Sequence, residues 1–116
     1  MRMRIVIISL GWLFAMSVNA QKNREIFEEM AVECVSHLVM SATVTETKLS
    51  KMVFLRDGKW WRTILVDLTN ENEADLRITS SVKNLQTKWN ADELTYEQLL
   101  SISKICSETK LEIELH

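Results

Sequence analysis

The sequence predicts an α+β domain in which a small antiparallel sheet of three to four strands, with a central hairpin at 51–68, packs against an N-terminal and a C-terminal helix. Three observations predict it. Apolar residues recur at helical spacing from Lys22 to Met40 and again after Thr95. Between them, two runs rich in aromatic and β-branched residues flank Asp57-Gly58. The chain then ends in a strict apolar and polar alternation.

The first segment, 1–20, reads as a cleaved signal peptide. Arg2 and Arg4 precede an apolar run from Ile5 to Met16, and Val18 and Ala20 sit at the −3 and −1 positions of a small-residue cleavage site. Processing there starts the mature chain at Gln21. The run is shorter than the ~18 residues that span a bilayer comfortably, so a retained anchor is the second choice and no stable membrane anchor is expected after processing. The expected location is periplasmic or secreted. Residues 21–116 then form one small domain, because 96 residues can bury one core and no Pro- or Gly-rich linker divides them.

From Lys22 to Met40, residues Ile26, Phe27, Met30, Ala31, Cys34, Val35, Leu38 and Val39 fall on one helical stripe, with Glu25, Glu29, Glu33 and Ser36 opposite. Glu25, Glu28 and Glu29 suit the positive end of the helix dipole. The polar and β-branched stretch from Ser41 to Thr47 does not continue the stripe.

The hairpin comes next. Asp57-Gly58 suits a two-residue type I′ turn, since glycine accepts a positive φ and aspartate tolerates it. That turn pairs Leu55 with Trp60 and Phe54 with Trp61. It puts Val53, Leu55, Trp60, Ile64, Val66 and Leu68 on one face and Met52, Phe54, Trp61 and Leu65 on the other. The stretch from Thr69 to Trp89 supports a third strand at 75–83, with Leu76, Ile78 and Val82 in it. A helix whose capping box pairs Asn70 with Glu73 is the alternative.

A second helix starts at Thr95, where Gln98 completes a capping box and Leu94 with Leu99 supplies a hydrophobic staple. Tyr96, Leu99, Ile102, Ile105 and Cys106 line its apolar face. The alternation from Lys110 to Leu115 predicts a half-buried terminal strand.

Cys34 and Cys106 are the only cysteines. Both lie on apolar helical stripes of a chain read as exported, so a disulfide is expected between them; two buried free thiols are the plain alternative. Charge narrows the partners. Once Arg2 and Arg4 leave with the leader, twelve basic residues face sixteen acidic ones, a net charge of −4. No run of Lys and Arg is dense enough to suggest nucleic acid, which demands a basic patch.

The chemistry is mostly excluded by composition. A phosphate-binding loop or nucleophile elbow needs several glycines, and Gly58 is the only one after residue 20. No C-x-x-C or H-E-x-x-H spacing points to a metal, so no cofactor, metal or catalytic residue is assigned. Glu29, Glu33 and His37 stand one helical turn apart, and a small exported enzyme using Glu33 and His37 as carboxylate and base is the alternative function. The favoured function is a small exported protein-binding module, inhibitor- or immunity-like. Its binding residues are Met52, Phe54, Trp61 and Leu65 on the outer hairpin face, engaging another protein or a second copy of the chain.

Overall fold

The computed structural model describes residues 21–116; the leader assigned to 1–20 lies outside the described residues. Four helices follow one another: α1 (Arg2–Val44), of which the described part begins at Gln21, α2 (Lys48–Leu68), α3 (Glu71–Asn90) and α4 (Tyr96–Leu115). Among the described residues there is no β-strand. The α+β expectation is therefore overturned, and with it the sheet, the hairpin at 51–68, the strand at 75–83 and the terminal strand at 110–115.

The hairpin fails at its turn. Asp57 and Gly58 lie in the middle of α2, both buried, and no glycine of the described chain has a positive φ. Read at helical spacing, Phe54, Asp57, Gly58, Trp61 and Leu65 form one stripe, which α2 turns inward. Trp61 and Leu65 are fully buried, Phe54 packs against their cluster, and Gly58 lies against Leu38 of α1. A lone two-stranded hairpin is marginal in water. One helical turn after another brings the same large side chains to a single seam and satisfies the backbone hydrogen bonds locally. That gain outweighs the ~1 kcal/mol that glycine costs in a helix interior.

α3 takes the alternative weighed for its segment. The Asn70 side chain caps it by accepting a 2.8 Å hydrogen bond from the Glu73 backbone N–H. Glu71 and Glu73 lie in its first turn and Lys88 in its last, as the helix dipole favours. Asp92, at φ 59°, takes the left-handed position just beyond its end.

α4 starts at the expected capping box. Thr95 Oγ1 accepts from Gln98 N–H at 3.2 Å, and Gln98 Oε1 accepts from Thr95 N–H at 2.9 Å. The staple is present too, with Leu94 packed on the cluster that holds Leu99. The helix runs on through 110–115 because Lys110 turns inward to Asp57 of α2, which leaves Leu111, Ile113 and Leu115 exposed.

α1 is the central element. Beyond Met40, where polar residues were expected to end it, Ser41 and Ala42 are buried and the helix continues to Val44. α3 and α4 each pack against both α1 and α2, and α1 meets α2 over the longest seam. One core cluster gathers Ala31, Cys34, Val35 and Leu38 of α1 with Trp61 and Leu65 of α2, Ala74 of α3 and Cys106 of α4. A second, near the opposite end, joins Met40, Leu85 and Leu99.

Candidate functional site

The four residues expected on an exposed hairpin face do not share one. Trp61 and Leu65 are core residues, and Phe54 is half-buried against the same cluster. Trp61 further donates its indole N–H to the Cys106 carbonyl at 3.1 Å and stacks edge-on against Trp60 with ring centroids 5.0 Å apart. Only Met52 stands in solvent. The physical reason is the change of period: alternate residues share a face in a strand, whereas in a helix position 52 lies on the opposite side from position 61.

The helical period also gathers residues that the hairpin would have scattered. Leu49, Met52 and Leu55, spaced three apart, project from the outer side of α2 with 75%, 60% and 52% of their surfaces exposed. Residues three apart on a helix are neighbours, so the three form an oblique apolar ridge. Sequence reasoning missed Leu49 and assigned Leu55 to the other face. The signal that would have found them is the inward stripe of Phe54, Asp57, Gly58, Trp61 and Leu65, whose complement they are.

His37 occupies a different place. It is buried on α1 and lines a recess of about 390 Å³ with Lys88, Glu93, Leu94, Gln98, Ser101 and Ile102. Its Nδ1 lies 2.7 Å from the Glu33 backbone carbonyl. A carbonyl can only accept, so Nδ1 carries the proton and donates it. The Glu33 carboxylate is exposed and stands 3.5 Å from the same nitrogen. Its own main chain, not the carboxylate, therefore holds the ring. Among the described residues, no nucleophilic side chain is hydrogen-bonded to His37, and no group of three acidic, histidine or cysteine side chains is placed to hold a metal.

The strongest electrostatic cluster is structural. Asp57 receives a 2.6 Å hydrogen bond from the Ser107 hydroxyl and pairs with Arg56 at 3.0 Å and with Lys110 at 3.5 Å. Burial pushes the Asp57 carboxyl up, but the Ser107 hydroxyl and the Arg56 and Lys110 cations outweigh it and hold it below the usual carboxylate range. Lys110 is raised, first by its 2.9 Å contact with Glu114, against the opposing effect of burial, and further by Asp57. Its ammonium also lies 5.9 Å from the centre of the Trp60 ring. Asp57, Ser107 and Lys110 find their partners inside the fold and fasten α4 to α2, while Arg56 and Glu114 close the cluster from the solvent side.

The expected disulfide is present. Cys34 and Cys106 are bonded with Cα atoms 5.5 Å apart, both buried, joining α1 to α4. Among the described residues no helix is long and apolar enough to cross a membrane. No family model, curated protein or solved structure matches the chain.

Proposed function

We propose that this chain is a small exported protein-binding module, inhibitor- or immunity-like, that docks another protein through the outer ridge of α2, with Met52 at its centre and Leu49 and Leu55 on either side. One observation carries the reading: three large aliphatic side chains on successive turns of one helix are each more than half exposed. Single exposed apolar residues are ordinary on a monomer, whereas grouped ones point to interaction. The scaffold suits such a role. Its inner stripe is locked by Trp61 and its last helix by a disulfide, so the ridge is presented in a fixed shape and little ordering is needed on binding. The disulfide supports the exported compartment, where such bonds persist.

Site-specific photo-crosslinking tests the reading. With a benzophenone side chain in place of Met52, the mature protein should form a discrete adduct with one protein of the envelope or culture fluid. The same probe in place of Thr79, on the exposed side of α3, should not. Leu49→Ser combined with Leu55→Ser, in the protein that carries the probe at position 52, should abolish capture while leaving the thermal midpoint unchanged. No adduct from position 52, or the same adducts from both positions, would refute docking on this ridge.

A further inference from the structure

The charges of α2 are divided as unevenly as its apolar residues. From 48 to 59 the exposed ionisable side chains are Lys48, Lys51, Arg56 and Lys59, all cationic. The only carboxylate in the segment, Asp57, is buried and engaged by Arg56, Ser107 and Lys110. Elsewhere in residues 21–116 the balance is reversed, with eight basic residues against fifteen acidic ones. A hairpin would have dealt these cations to both faces of a sheet; the helix sets them around the aliphatic ridge.

Resting on the docking reading above, we infer that the occupant of this ridge is an acidic protein surface. The apolar side chains supply contact area, and the surrounding lysines select a partner whose carboxylates ring an apolar patch. Complementary charge of this kind speeds encounter and rejects wrong partners. A second copy placed on the same face by two-fold symmetry would bring the set of Lys48, Lys51 and Lys59 against the same cationic set, a like-charge contact that opposes pairing. A bilayer fits less well. Helices that lie in a membrane interface sink a broad apolar face with large aromatic residues, and here Phe54, Trp60 and Trp61 of the same helix are turned toward the core.

The test uses the mature chain with the benzophenone at position 52. The adducted partner peptide, sequenced by mass spectrometry, should lie in a surface rich in Asp and Glu. Replacing Lys48, Lys51 and Lys59 together by Glu should cut adduct yield by about tenfold or more. Raising salt from about 50 to about 500 mM should weaken the wild-type adduct and not the residual one. An adduct that survives charge reversal and salt would overturn the acidic partner while leaving docking on the ridge intact. So would a self-adduct, or Met52-dependent binding to vesicles of phosphatidylcholine and phosphatidylglycerol, in favour of a second copy or a membrane. No adduct from position 52 at all would remove the docking reading and this inference together.

Discussion

α3 and α4 flank the same pair of helices, yet they are held by different chemistry. α4 is attached by a disulfide from Cys34 to Cys106, a buried 2.7 Å hydroxyl contact between Ser41 and Ser103, the Trp61 indole on the Cys106 carbonyl, and the Asp57 cluster with Ser107 and Lys110. α3 brings Ala74, Ile78, Val82 and Leu85 to the core and adds ion pairs at its margin, Arg77 to Glu28 at 2.8 Å and Arg62 to Asp75 at 2.9 Å. Apolar packing is permissive about rotation and register, whereas buried polar contacts are satisfied only in one arrangement. α4 is thus the specified helix and α3 the packed one.

The largest expected effect separates them by covalent chemistry. The disulfide bridges residues 72 positions apart, and in the chain-entropy model its loss costs about 4 kcal/mol. Cys34→Ala with Cys106→Ala should lower stability by about that amount in urea titrations. Hydrogen exchange should then show protection lost in α4 before α3. Equal loss in both helices would mean that the bridge stabilises the bundle as a whole and not the docking of α4.

The next effect tests the polar cluster. Asp57→Ala leaves Lys110 with Glu114 as its one carboxylate and the Ser107 hydroxyl without its acceptor, and should cost about 3 kcal/mol, the low end for breaking a buried pair. Because the folded-state pKa of Asp57 is depressed, its contribution is complete above the unfolded carboxylate value of about 3.9 and is lost as pH falls through the folded value. Wild-type stability should therefore fall more steeply below about pH 4 than that of Asp57→Asn. Parallel acid limbs for the two proteins would show that Asp57 does not carry the dependence.

The α3 side should divide the other way. Leu85→Ala should cost about 2 to 3 kcal/mol through the cavity it leaves. Arg77→Ala should cost about 1 kcal/mol or less and be masked by salt, since the pair sits near the surface. A larger loss for Arg77 than for Leu85 would reverse the description of α3.

How much of this was readable depended on whether local signals and tertiary burial agreed. α1, the capping box of α4 and the Cys34–Cys106 pairing were legible, because each rested on a stripe or cap that the fold preserves. α2 was not, because Asp57-Gly58 has strong turn chemistry and the residues around it are β-branched or aromatic. Burial against α1 overrode both preferences. The terminal alternation misled for a similar reason: Lys110, the first residue of the expected strand, is drawn inward by Asp57, a contact that no local pattern contains. Of the residues first assigned to binding, Met52 alone is exposed, since the choice between a period of two and the helical period decides which side of Trp61 faces water.

Gly58 turns that choice into a measurement on one methyl group. A Cβ built there would lie 3.5 Å from the Cβ of Leu38, ordinary van der Waals contact, and the backbone is helical. Gly58→Ala should therefore raise stability by about 0.5 to 1 kcal/mol, by removing freedom from the unfolded chain. In a type I′ turn the same change would force alanine into a positive φ and destabilise the protein. Nothing in the fold requires the one glycine of the domain, and the sign of its response to a methyl group distinguishes a helix from a hairpin.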